Sequence, residues 1–372
     1  MPGAVQAGIG FALWEDGRGL CSGNVYMFTT LEASARLVAD SSLGHSRSKL
    51  VDRQPQPVVA EPVAADAAQR AELLAGLLKR SATIDPKFFY DTQGCVLFNA
   101  ICELDEYYPT RTEREIFNLY RQDIAAALPP SVQWIDLGCG DCAKSQAWLE
   151  HVDVHRFIGV DIAAEWITQA VEATGRHFPD VECLAVGADF TRGFDMHELL
   201  GDVHTHPPVF FYPGSSIGNF APDAAITMLR SVREHLGNDG GLLICVDLRK
   251  DPAIMKRAYA DALGVTAAFN KNVLRVANRI LGSDFRPENF SHQARFDEVR
   301  SCIEMRLVAN AKQFVRMGGE IRVFEEGEPI VTEHSYKYTP HQFVEVLERA
   351  GFTKQRMWTD PQEWFGVFLV QA

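Results

Sequence analysis

The stretch over residues 133–161 constrains the fold more than any other part of this chain. Trp134, Ile135, Asp136 and Leu137 form a short, mostly apolar run that suits a buried parallel strand. Gly138-Cys139-Gly140 makes a tight turn in which backbone can approach a ligand without Cβ interference. Residues 144–150 have helical character, and residues 157–160 read as a second strand ending in Asp161. Strand, glycine turn, helix, strand and acidic tip are the front half of a nucleotide-type binding unit. Asp161 follows Gly140 by 21 residues, where a carboxylate can accept both ribose hydroxyls.

The same stretch argues against a dinucleotide. A pyrophosphate requires a third glycine so that the helix N-terminus can approach it. That position falls within residues 143–145, none of which is glycine, and Asp141 after the turn repels phosphate. Acidic residues on both sides of the turn, Asp136 and Asp141, suit a cationic adenosine without phosphate. S-adenosylmethionine, with a sulfonium and an ammonium, has that chemistry.

At 372 residues, 47% apolar and 23% charged, the chain reads as globular and long enough for one large or two ordinary domains. Its formal charge of −13, with no Lys/Arg block, excludes a phosphate footprint, so no nucleic-acid partner is expected. Eight scattered cysteines point to a reducing, cytoplasmic setting. Cys139 and Cys142 form a C-x-x-C without a second pair at zinc spacing, so no metal site is expected. No apolar run is long enough to span a membrane, and the first residues lack the basic region of a secretory signal. A monomer acting on a small molecule is the expected state.

Residues 1–50 show no period, and residues 51–65, with Pro55, Pro57 and Pro62, read as an extended linker. A helix is expected over 67–80. Thr110 or Thr112 is expected to cap another after Pro109. The aromatics Phe89, Tyr90, Tyr107 and Tyr108 are either core or a cage for a substrate amine, since aromatic faces attract cations. Further βα units follow: a helix over 164–177, and strands over 181–186, 208–212 and 240–248. Asp189 and Phe190 follow the third strand, where they can bond an adenine amino group and cover its face.

The alternation then breaks. Residues 250–281 read as helical and 302–338 as four strands, an insertion too long for a loop. The expected architecture is α/β: a Rossmann-like, doubly wound sheet with a second α+β lobe. The expected division is an extension and linker over 1–65, a substrate lobe from 66–112 and 250–338, and a cofactor domain from 113–249 and 339–372. Open α/β sheets bind ligands at the carboxyl ends of their strands, where the second lobe should cover the substrate.

Several blocks together resemble a known family: residues 88–91, 106–111, 136–140, 214–219, 264–270 and 332–335. The chain is similar to the histidine Nα-methyltransferases of ergothioneine biosynthesis, which are class I S-adenosylmethionine-dependent enzymes. The resemblance implies that Gly138, Lys144, Asp161, Asp189, Phe190 and Tyr107 bind S-adenosylmethionine. It implies that Asn219 and Tyr259 hold the substrate carboxylate, and that Tyr90, Gly214 and Thr266 surround its amino group. Met305, Glu333 and Ser335 would line the side-chain pocket, with Tyr90 and Asn219 orienting the reacting amine. Cys139, Asp141 and His334 depart from the family's common form.

On a strand over 330–338, alternate side chains share a face, so Glu333 and Ser335 point one way and His334 the other. The expected function is methylation of L-histidine to its Nα-trimethyl form. Related enzymes accept tryptophan-type amino acids, so an indole substrate is the first alternative. A cofactor-binding protein without catalysis is the second, and intact Tyr90, Asn219, Tyr259 and Glu333 weigh against it.

Overall fold

A computed structural model of the chain describes residues 58–59, 62–193 and 195–372. The expectations for residues 1–50 and most of the linker lie outside these. The main sheet has eight strands in the order Val58–Val59, Glu182–Gly187, Val154–Asp161, Val132–Leu137, Pro208–Tyr212, Gly241–Asp247, Phe365–Gln371 and Lys354–Thr359. Strands through Gly241–Asp247 are parallel, and the last two are antiparallel. The central strands Val132–Leu137 and Gly241–Asp247 are buried at every position. Such two-sided burial is why they read as near-continuous apolar runs. The expected doubly wound fold is therefore present. Its strand order reverses between Val132–Leu137 and Pro208–Tyr212, and ligands bind at such a switch point.

A second sheet orders Ala82–Thr83, Pro329–Tyr336, Cys302–Ala309 and Phe290–Asp297. Its hydrophobic cluster joins Leu73, Phe89 and Tyr107 from the amino-terminal side to Phe269, Phe290 and Met305 from the insertion. The helix Val265–Leu281 buries Thr266, Phe269, Asn270, Val273, Leu274 and Ala277, the i, i+3, i+4 stripe of a core-facing helix. Just beyond the second sheet, Leu248 and Tyr338 bridge in parallel, so the two sheets meet at the end of Gly241–Asp247.

Three local expectations are corrected. Residues 51–65 are not wholly an extended linker: Val58–Val59 pairs with Val186 and Gly187, and a helix already starts at Pro62. Proline is tolerated there because a first-turn N–H has no helical partner to lose. For the same reason Pro109 lies inside the first turn of the helix Tyr108–Ala126, so neither Thr110 nor Thr112 caps it. The strand Phe290–Asp297 was not anticipated. It buries only Phe290 fully, and Ser291, Gln293 and Arg295 dilute its apolar signal. Among the described residues no helix is long and apolar enough to cross a membrane.

Candidate active site

The turn after Val132–Leu137 is built for close approach. Gly138 and Gly140 have φ of 74° and 54°, a region that favours glycine, and a Cβ on Gly140 would meet nothing within 4 Å. Asp161 accepts hydrogen bonds from Gly140 N at 3.2 Å and Ala163 N at 3.0 Å, which fixes its carboxylate beside the turn. Asp136 lies beneath. One of its oxygens accepts from Ser145 Oγ at 2.6 Å, and the other is buried without a hydrogen-bond partner. Burial pushes the Asp136 carboxyl up to about 7, against the opposing Ser145 bond. A Cβ on Gly138 would lie 3.8 Å from the Phe190 ring, so this predicted pair is brought together. Asp189 caps the short turn Phe190–Arg192 through Thr191 N and reaches Lys87 at 3.3 Å.

Lys144 pairs with buried Glu113 at 2.5 Å, and the other Glu113 oxygen accepts from Gly214 N, also at 2.5 Å. This bridge joins the helix Ala143–Leu149, which follows Val132–Leu137, to the loop after Pro208–Tyr212 across the switch point. The glycine cradle, the Asp161 carboxylate and the unpartnered Asp136 oxygen fit a cationic adenosine with free ribose hydroxyls.

A cavity opens beside Gly214. Nine of the predicted residues line it: Tyr90, Tyr107, Gly214, Asn219, Tyr259, Thr266, Met305, Glu333 and Ser335. The remaining five, Gly138, Lys144, Asp161, Asp189 and Phe190, lie outside that lining, around the turn and the strand ends. The four aromatics divide. Phe89 stacks on Phe269 at 4.6 Å within the core, and Tyr108 is buried behind the cavity. Tyr90 and Tyr107 stand on the cavity wall, edge-on to Phe98 at 5.8 and 6.3 Å.

Glu333 pairs with Met305 across the ladder, so both project to the same side, into the cavity. Ser335 follows on that face. His334 points away, against Glu304 at 3.4 Å and Arg300 at 3.1 Å, as the strand alternation requires. Among the described residues the Glu333 carboxylate has no side-chain hydrogen bond. Burial pushes it up to about 7, and Lys337 pulls in the other direction.

The cavity floor is a charge network that sequence reading missed. Lys337 Nζ, fully buried, donates to Asp247 Oδ2 at 2.6 Å, Tyr259 Oη at 2.9 Å and Ser335 Oγ at 2.8 Å. Asp247 also accepts from Tyr108 Oη at 2.7 Å and from Lys250 Nζ, and its backbone N–H donates to Ser215 Oγ at 2.8 Å. Burial opposes the Asp247 charge, but the two ammonium groups hold its carboxyl below the usual range. Burial likewise opposes the Lys337 charge, and Asp247 more than offsets it. In Lys250 burial wins, bringing it down to about 8. Tyr259, expected at the substrate carboxylate, thus has its hydroxyl on Lys337 and Ser335. Partners 90 and 139 residues apart carry no local signal.

Asp195, His197 and His235 also approach one another. His235 Nε2, however, accepts from Met196 N at 3.0 Å, which occupies the lone pair a metal would need.

Comparison with known proteins identifies the family. The chain is 37% identical over 321 residues to the histidine N-alpha-methyltransferase of Mycolicibacterium smegmatis, covering 84% of this chain and 98% of that one. It is 36% identical to the Mycobacterium tuberculosis enzyme of the same name, covering 81% and 94%. Ergothioneine biosynthesis protein 1 of Neurospora crassa matches at 27% identity over 76% of this chain, which spans only 32% of that longer protein. The family described as histidine-specific, S-adenosylmethionine-dependent methyltransferase matches over residues 69–372. On that match the chain belongs to the histidine-specific, S-adenosylmethionine-dependent methyltransferases.

Proposed function

We propose that the protein methylates the α-amino group of L-histidine, as far as the trimethyl form, as a step of ergothioneine biosynthesis. The observation that carries the reading is Glu333: a buried carboxylate with no side-chain hydrogen bond among the described residues, beside the Ser335 hydroxyl on one cavity face. An imidazole presents two nitrogens, one a donor and one an acceptor, and this pair can address both. The names of the two mycobacterial relatives support the same substrate.

Gly138, Lys144, Asp161, Asp189, Phe190 and Tyr107 are assigned to the cofactor. When bound, S-adenosylmethionine supplies a methyl already activated by a sulfonium, so the protein contributes alignment more than acid–base power. An amino acid is mostly an ammonium at neutral pH, and the amine must shed a proton to attack. Tyr90 and Asn219 line the cavity, and among the described residues no hydrogen bond engages either side chain. They are free to orient the amine lone pair while water takes the proton. The aromatic wall of Tyr90, Phe98, Tyr107 and Phe269 tolerates both an ammonium and a permanent trimethylammonium. The cofactor domain of 113–249 and 339–372, and the substrate lobe of 66–112 and 250–338, are part of this reading.

The direct test is incubation with S-adenosylmethionine and the standard amino acids, followed by mass spectrometry. Histidine alone should gain the mass of one, two and then three methyl substitutions. Preferential methylation of tryptophan would overturn the reading.

Two further outcomes are expected. Asp161→Ala should weaken S-adenosylmethionine binding by about 1.5–3 kcal/mol, the loss of hydrogen bonds to a charged group. Calorimetry that finds unchanged affinity in the folded variant would remove Asp161 from the cofactor site. A chain beginning at Arg53 should keep its activity, because the family match starts at residue 69 and the paired strand Val58–Val59 is retained. A raised KM for histidine in that shortened chain would show that the removed segment serves the pocket.

A further inference from the structure

We propose that Lys337, itself outside the cavity lining, sets the hydrogen-bond direction of the side-chain pocket by making Ser335 a donor, so that the pocket takes neutral imidazole. The proposal rests on the histidine reading above and goes beyond it to the protonation state of the bound side chain.

An ammonium has three N–H donors and no lone pair. Those of Lys337 are all engaged, on Asp247, Tyr259 and Ser335. Both hydroxyl oxygens are therefore acceptors toward Lys337. Tyr259 and Ser335 also share a bond of 2.8 Å; we assign its proton to the phenol, the more acidic hydroxyl. A serine oxygen has two lone pairs and one hydrogen. Lys337 fills one lone pair and Tyr259 the other, so Ser335 has only its O–H left for the cavity. The Glu333 carboxylate on the same face only accepts.

One donor beside one acceptor matches a neutral imidazole, with its bare nitrogen on Ser335 and its N–H on Glu333. An imidazolium would turn a second N–H toward the hydrogen of Ser335. Lys337 is a positioning residue: Asp247 anchors it, and Tyr108 anchors Asp247. The Tyr259 backbone is held separately, its carbonyl accepting from His292 Nε2 at 2.8 Å.

The titratable groups around this cluster are Tyr90, Tyr107, Tyr259 and Asp247 at the cavity, Asp247 being kept ionised by the two ammonium groups, Tyr108 and Lys250 behind Lys337, and Cys302 on the neighbouring strand. Phenols and thiol are raised by burial and stay neutral near pH 7. Lys250 lies outside the cavity lining, so its proton cancels between free and bound protein. Only Glu333 and the ligand then change the proton count.

The experiment is calorimetric titration of L-histidine into the protein saturated with S-adenosylhomocysteine, at about pH 7.5, in buffers of different ionisation enthalpy. The intact protein should bind histidine with no net proton uptake. Its affinity should fall below about pH 7, approaching about a hundredfold per pH unit, because both Glu333, raised to about 7, and the imidazole, near roughly 6.5, must shed a proton to bind. In Lys337→Met, Ser335 regains a lone pair, which can accept the second N–H of an imidazolium. That variant should bind at least tenfold more weakly and take up close to one proton. Uptake of one proton by the intact protein overturns the proposal while leaving the histidine reading standing, and needs no variant to fold. A folded Lys337→Met with unchanged affinity and proton count also overturns it. Failure of the intact protein to bind histidine overturns the histidine reading itself, and this proposal with it.

Discussion

Glu333→Ala is expected to cut kcat/KM for histidine by roughly tenfold to more than a hundredfold, the equivalent of losing a charge-assisted hydrogen bond of about 1.5–3 kcal/mol. Activity on tryptophan relative to histidine should rise in the same variant. An indole offers a single N–H, so in the intact pocket either Glu333 or Ser335 is left without its natural partner. Removing the carboxylate removes that mismatch and opens space.

Stability separates this effect from misfolding. Burial raises the Glu333 carboxyl to about 7, above its unfolded value of about 4.3. Between those values the folded state binds more protons than the unfolded one, so this group lowers stability as pH rises through the window. Glu333→Ala should therefore unfold at the same or higher denaturant concentration at neutral pH. A variant that keeps its histidine preference in competition with tryptophan would show that Glu333 does not read the imidazole.

How much of this site could be read in the sequence depends on the distance between partners. Glu333, His334 and Ser335 were separable in advance because a strand has a period of two, and the cavity face follows that period. Asp161 was legible from its spacing to Gly140, since one βα unit fixes both, and the two are joined at 3.2 Å. The ties among Asp247, Lys337 and Tyr108, and among Glu113, Lys144 and Gly214, were not legible. Each joins segments that meet only when the sheets fold together. Nothing in the residues flanking Asp247 or Lys337 marks either as the other's partner. The helix starts at Pro62 and Tyr108 were misplaced for a different reason. Proline is compatible both with ending an element and with opening one, and only the fold decides.

The largest effect on stability is expected at Asp247. Asp247→Ala leaves Lys337, fully buried, and Lys250, nearly so, without their shared carboxylate. Breaking a buried pair by removing one partner costs about 3–5 kcal/mol, because the remaining charge keeps its desolvation penalty and loses its compensation. Tyr108 also loses its acceptor. The effect should carry a pH signature.

Asp247 is held below its unfolded value of about 3.9, so its contribution is present above that value and lost as pH falls through the folded one. Lys337 is raised, so its contribution is full below about 10.4 and lost only as pH rises through its folded value. The intact network is thus at full strength across neutral pH. In the variant, burial acts on both lysines without Asp247 to oppose it, and they shed their protons as pH rises. Urea unfolding should then show the gap between intact protein and variant narrowing toward alkaline pH, beginning below about pH 8, because Lys250, at about 8 in the intact protein, falls further once Asp247 no longer raises it. Asp247→Asn, which keeps the shape without the charge, should fall between the two. Equal urea midpoints for Asp247→Ala and the intact protein near neutral pH would mean that the buried ammonium groups find other partners. Asp247 would then not be the anchor of the cavity floor.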